Sequence, residues 1–192
     1  MAKPPAAAAA TLPDLLRTGL EVVFVGINPS LYSAAQGHYF ARKTNRFWPA
    51  FSRSRLSVKA RQGLGVERLE PIHDRVLPAY GFGFTDLVKR PSPRATDLAR
   101  NEAADGVAAL ARKIKRYQPR FACFHGVTVG RPVQRVLAPE LAEIGLGLQP
   151  YRIGMTRVFV VPNPSPANAH FTPADQARWY DALAEALDEL RE

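Results

Sequence analysis

The apolar residues of this chain fall into short unbroken runs separated by stretches of helical spacing. Val22-Val23-Phe24-Val25, ended by Gly26, predicts a strand buried on both faces, as in the middle of a parallel sheet. Gly81 to Val88 reads as a second such strand, with Asp86 near its end, and Phe121 to His125, closed by Gly126, as a third. Tyr151-Arg152-Ile153 and Val158 to Val161 predict a hairpin or two successive strands. Between these runs the period changes. Val107, Leu110, Ala111 and Ile114 mark a helix from about Glu102 to Tyr117, ended by Pro119. Phe47, Trp48 and Phe51 place an aromatic helix face on the sheet, and Leu69, Ile72, Val76 and Leu77 predict a helix over 66–80. A helix is expected over Val127 to Leu137 despite Pro132. Thr172-Pro173-Ala174-Asp175 opens a last helix that buries Trp179, Leu183, Leu187 and Leu190. Leu12 to Leu20 is a short helix or an extended arm.

Strands alternating with helices predict an α/β fold, a three-layer α/β/α sandwich around a mainly parallel sheet of four to five strands. The 192 residues suffice for one core. We expect a single domain over 12–192, behind an Ala/Pro-rich tail, 1–11, that is disordered. The tail lacks the leucine-rich stretch of a signal peptide, and no segment is long and apolar enough to span a membrane. Cys123 is the sole cysteine, which excludes internal disulfides and cysteine-ligated metal clusters and leads us to expect a cytoplasmic protein.

Charge changes this picture. The net charge is +9, and from Arg42 to Arg61 there are seven basic residues and no acidic one. An unbroken single-sign run faces a polyanion or incurs self-repulsion, so a nucleic acid is the expected partner. Phe47, Trp48 and Phe51 within it read as core.

Three strand ends carry polar groups: Asn28 in GINPS, Asp86 in FTDL and Asn163 in PNPSP. A parallel sheet brings such ends to one edge, where ligands bind in open α/β folds. A neutral Asn orients a water or a carbonyl but is no strong base. Asp86 is either a general base or a residue that caps the loop or pairs with Lys89 or Arg90. GINPS lacks the glycines and lysine of a phosphate loop. The four histidines have no metal-ligand spacing, and Ser165 has no obvious triad partners, so no metal and no cofactor is expected.

Gly26-Ile27-Asn28-Pro29, then Phe40, then Asn45-Arg46-Phe47-Trp48 resembles the mismatch-specific uracil-DNA and thymine-DNA glycosylases of the uracil-DNA glycosylase superfamily. Pro162-Asn163-Pro164-Ser165 is similar to that superfamily's second motif. Tyr117-Gln118-Pro119 falls where the bacterial mismatch-specific members have it. The resemblance covers about 12–190. It implies excision of uracil, and by extension thymine or modified pyrimidines, from mismatched double-stranded DNA after the nucleotide is flipped into a pocket. It also implies that Asn28 positions the attacking water. Phe40 would stack on the base, backbone groups of Ile27 and Phe40 would bind its edge, Ser33 would lie close to it, and Asn163 would help close the pocket. Lys43 and Arg46, with Ser165, Pro166, Ala167, Asn168 and His170 of the second motif, would face DNA. No lysine matches a Schiff-base position, which implies a monofunctional enzyme, and a monomer is expected.

Departures from the pattern matter too. Ser30 follows GINP where a glycine is common, and His38-Tyr39 precede Phe40 where the bacterial relatives differ. Pro166 to His170 lacks the Leu and Arg that relatives insert into the gap left by the flipped base. Ala167 is short for a plug, so Asn168 or His170 substitutes, or recognition of the widowed guanine is weaker. Asn163 stands where single-uracil enzymes of the wider superfamily have a histidine. Asp86 has no counterpart in the bacterial relatives. We read it as an auxiliary or principal catalytic carboxylate, the other reading being an ion pair with Arg90 or Arg94. A different class of function, a non-catalytic binder of damaged or single-stranded DNA, uses the same basic face and aromatic. An enzyme acting on small nucleotides has no use for that basic run.

Overall fold

A computed structural model describes residues 11–191; residues 1–10, and with them nearly all of the expected tail, lie outside the described residues. Five strands form one sheet in the order β2-β1-β3-β5-β4. They are β1 (Val22–Gly26), β2 (Phe82–Asp86), β3 (Phe121–His125), β4 (Gly147–Ile153) and β5 (Thr156–Val161). The first three and β5 run parallel, and β4 closes the edge as the antiparallel arm of a hairpin with β5. Pro150 sits in the irregular part of this hairpin, between Leu148 and Arg152, on an edge strand that tolerates its missing N–H.

Alternate residues of the buried strands face two separate cores. Val22 and Phe24 join α2 (Phe47–Arg53) and α6 (Pro173–Asp188), while Val23 and Val25 join α4 (Arg100–Tyr117) and α5 (Val127–Leu137). These are the three layers expected. Two shorter helices, α1 (Leu31–Gln36) and α3 (Val58–Leu64), complete the set. Gly106 lets α4 approach the loop after β2, since a Cβ there would meet the carbonyl oxygen of Leu87 at 2.2 Å.

The first core is aromatic. Phe47 stacks on Phe40 at 4.3 Å between centroids and meets Phe24 at 5.1 Å edge-on and Tyr180 at 5.8 Å. Phe47, Trp48 and Phe51 are core residues, as their spacing predicts. In α6 the fully buried aromatic is Tyr180, whereas Trp179 and Leu190 are only half-buried. Thr172 caps that helix reciprocally with Asp175.

Two stretches depart from or resolve the expectations. Residues 66–80 form no α-helix but bends and two short 3₁₀ turns, Pro71–His73 and Leu77–Tyr80. Pro71 and Pro78 each restart the chain at the head of a turn, which leaves Ile72 66% and Val76 45% exposed. Residues before β1 are an extended arm: Leu15 donates to the Phe84 carbonyl at 2.9 Å and accepts from its N–H at 3.0 Å, covering the free edge of β2.

Replacing Phe47 with Ala removes the ring against which Phe40 is stacked. It is expected to cost about 3–5 kcal/mol in urea unfolding, with an unchanged slope.

Candidate active site

The parallel strands end together. Gly26 lies in register with Asp86, and His125 with Val161. A cleft of about 840 Å³ opens over this edge and brings together Asn28, Phe40, Asp86 and Asn163, with Ile27 and Ser33 also in its walls. A second cleft, of about 540 Å³ under α5, contains none of these groups.

Asn28 is held by the loop after β2. Its Nδ2 donates to the Arg90 carbonyl at 2.9 Å and to Ser92 Oγ at 2.8 Å, and that hydroxyl donates on to the Arg94 carbonyl at 2.6 Å. The Ser92 N–H meets the Pro29 carbonyl at 3.2 Å, so the loop is stitched to GINPS on both sides. With both amide protons committed, Oδ1 is the atom left for a water, and it has no donor among the described residues. Ser92 was not foreseen; the only local signal is its place between two prolines.

Asp86 is 4% exposed, and its carboxylate presses on the end of β1: a Cβ at position 26 would meet Oδ1 at 2.7 Å. Only glycine fits there. Burial raises the Asp86 pKa to about 6; Asp14 pushes the same way, while Lys89 and the Tyr39 hydroxyl oppose it. Of the ion pairs expected as the alternative, the one with Lys89 forms and those with Arg90 and Arg94 do not. Arg90 grips Glu102 at 2.6 and 2.7 Å, and Arg94 meets Asp97 at 3.3 Å. The cation beside Asp86 is Lys89, at 3.5 Å.

The segment between α1 and α2 is shaped by buried polar contacts. Ser33 Oγ accepts from the Ala41 N–H at 3.2 Å, and Asp74 takes the Tyr39 N–H at 2.8 Å and His38 Nδ1 at 2.9 Å. Between them Phe40 is held at φ +52°, a left-handed conformation that costs a non-glycine residue about 1–3 kcal/mol. One face of its ring rests on Phe47, and neither its N–H nor its carbonyl has a partner among the described residues. His125 lies behind it at 5.0 Å, joined through Nε2 to the Tyr180 hydroxyl at 2.9 Å. Burial lowers the His125 pKa to about 3, so it is a neutral packing group, as the sequence suggests.

The second motif is a loop stapled to itself. The Ser165 N–H donates to Asn163 Oδ1 at 2.9 Å, Asn168 Nδ2 to the Asn163 carbonyl at 3.0 Å, and the Ala167 N–H to Ser165 Oγ at 3.3 Å. Arg46 holds it from outside, donating through Nη1 to the carbonyls of Asn168 at 2.7 Å and Phe171 at 2.6 Å. Its backbone N–H adds the Pro164 carbonyl at 3.0 Å. Arg46 is thus spent on the loop rather than displayed to a phosphate, and the Asn168 amide is committed inside it. Pro166, Ala167 and His170 stay exposed at the tip, and Lys43 is exposed nearby. Farther along the basic run, Arg55 is neutralised by Asp188 at 2.8 Å. Arg42, exposed, lines the wall of the cleft itself.

A family model of the uracil DNA glycosylase superfamily matches residues 13–188. The chain is 30% identical over 184 residues to the G/U mismatch-specific uracil DNA glycosylase of Schizosaccharomyces pombe, covering 94% of this chain and 55% of that protein. It spans about half the length of this curated relative. The solution NMR structure of a candidate uracil DNA glycosylase from Methanosarcina acetivorans matches with a TM-score of 0.57 at 18% identity, over 94% of this chain and 98% of that one. At that identity the likeness is one of fold.

Two outcomes test this geometry. A raised folded-state pKa means that ionised Asp86 weakens the fold, fully above about 6 and not at all below the unfolded value of 3.8. Asp86→Asn is expected to stabilise the protein by roughly 2–3 kcal/mol at about pH 7.5, and the gain should vanish below about pH 4, read by urea unfolding across pH. Arg46→Ala is expected to speed amide exchange at Ser165 and Asn168 by roughly tenfold or more, since a charged hydrogen bond contributes about 1.5–3 kcal/mol.

Proposed function

The chain belongs to the uracil DNA glycosylase superfamily, and we propose that it is a monofunctional DNA glycosylase of base excision repair. On this reading its substrate is double-stranded DNA with uracil opposite guanine, and by extension thymine or a modified pyrimidine. It acts as a monomer in the cytoplasm, on the chromosomal DNA. Support for the substrate comes from the G/U-specific name of the yeast relative and from the basic rim of the cleft.

The observation that carries the proposal is the pairing of two unlike groups at one sheet edge. Asn28 offers a carboxamide oxygen whose orientation its own amide protons fix, and Asp86 offers a buried carboxylate that is ionised at neutral pH. Phe40 supplies a ring face and an unbonded peptide for the edge of a flipped base. Water held by Asn28 attacks C1′ as the glycosidic bond to N1 breaks, and its proton passes to Asp86. The base departs as a delocalised anion. The carboxylate also stabilises the oxocarbenium character of the sugar. A pure binder of damaged or single-stranded DNA needs no buried carboxylate beside a fixed amide. Lys89 is held by Asp14, Tyr39 and Asp86, so its Nζ is engaged in hydrogen bonds rather than free to form a Schiff base.

The test is single-turnover excision from a labelled duplex with one G·U pair, at low salt, read by alkaline cleavage at the abasic site. Asn28→Ala and Asp86→Asn are each expected to slow excision by about 10- to 100-fold or more with binding retained. The base must be ionised, so the wild-type rate should be level above about pH 6 and fall below it, and Asp86→Asn should lose that limb. Binding without cleavage by the wild type sinks the proposal in favour of the binder.

A further inference from the structure

Lys89 stands outside the chemistry just described, yet its ammonium is among the most constrained charges around the cleft. Its three N–H groups meet three acceptors from three segments. These are Asp14 Oδ1 of the arm at 2.9 Å, the Tyr39 hydroxyl at 3.1 Å, and Asp86 Oδ2 at 3.5 Å. Asp14 is itself fixed by Thr85 Oγ1 at 2.7 Å, from β2, and by Lys113 Nζ at 2.6 Å, from α4. The arm is tied on either side of Asp14, where the Pro13 carbonyl takes the Tyr39 hydroxyl at 3.1 Å and Leu15 pairs with Phe84. Thr11 adds a hydrogen bond to the carbonyl of Lys89 itself.

We propose that Lys89 is a positioning residue of this active site, strapped in place by the arm through Asp14, and that its ammonium sets the orientation and charge of the Asp86 carboxylate. The proposal rests on the reading of Asp86 as the base. The unequal distances carry it. A cation bound tightly to Asp86 alone would make that carboxylate a feeble base, and no cation at all would leave a buried carboxylate protonated. Here the shorter bond goes to Asp14, so Asp86 receives only part of the ammonium's field. The other groups facing Asp86 do not supply a substitute. His125 is neutral, Tyr39 lies beside it un-ionised, and Arg94 is engaged with Asp97. Arg42 lines the same cleft from its solvent-exposed wall.

Lys89 and Asp14 then act on Asp86 in opposite senses, which a merely structural role does not predict. The test compares wild type with Lys89→Met, Lys89→Arg and Asp14→Asn. Single-turnover G·U excision is followed against pH. In parallel, urea stability is measured with and without Asp86→Asn in each background, which titrates Asp86 without reference to catalysis. In Lys89→Met both midpoints are expected to rise by about one pH unit or more, so that excision on the acid limb drops by about tenfold and recovers at higher pH. Lys89→Arg should keep the midpoints near wild type, and Asp14→Asn should lower them. Equal losses at every pH with unmoved midpoints overturn the proposal. A stability midpoint that moves while the excision limb stays put overturns it through its premise, the assignment of Asp86 as base.

Discussion

A carboxylate at the floor of a cleft, almost without water, is the constraint around which the rest of this molecule is arranged. Asp86 sits flush against the backbone of the neighbouring strand, and Gly26 has no side chain because that space is taken. Burial opposes its charge, and a partly shared ammonium sustains it. The surrounding parts follow from this balance. The extended arm supplies Asp14 and shields the edge of β2, and the loop after β2 both carries Lys89 and grips the Asn28 amide. The same few residues thus position the general base and the water-holding amide of the proposed reaction.

The aromatic core serves the cleft from the other side. Phe47 belongs to α2 and to the buried cluster, yet it is also the surface on which Phe40 lies. A strained backbone at Phe40 is sustained because Ser33, Asp74 and Phe47 over-determine the segment. Strain and packing are spent on one peptide that faces open space.

Much of this was legible beforehand, for identifiable reasons. Strands buried on both faces read as unbroken apolar runs, so β1, β2 and β3 and the meeting of Asn28, Asp86 and Asn163 at one edge follow from pattern and parallel topology. The stretch 66–80 carries helical spacing without a helix because Pro71 and Pro78 interrupt it, and the chain restarts at each. Partners of charged residues were less legible still. Whether Asp86 meets Lys89, Arg90 or Arg94 is decided by Glu102 and Asp97, which claim the two arginines from elsewhere. Arg46 reads as a phosphate ligand from its basic neighbourhood and becomes a clamp because loop carbonyls more than a hundred residues away converge on it.

The stapled loop that follows β5 has a further meaning. Its tip is tied by internal hydrogen bonds and exposes Pro166, Ala167 and His170. On the proposed function, Ala167 is too short to pry a well-paired duplex apart, and only His170 is left to reach into a gap. Selection among base pairs would then pass in part from the protein to the DNA, with weakly paired positions reaching this site more often than strong ones.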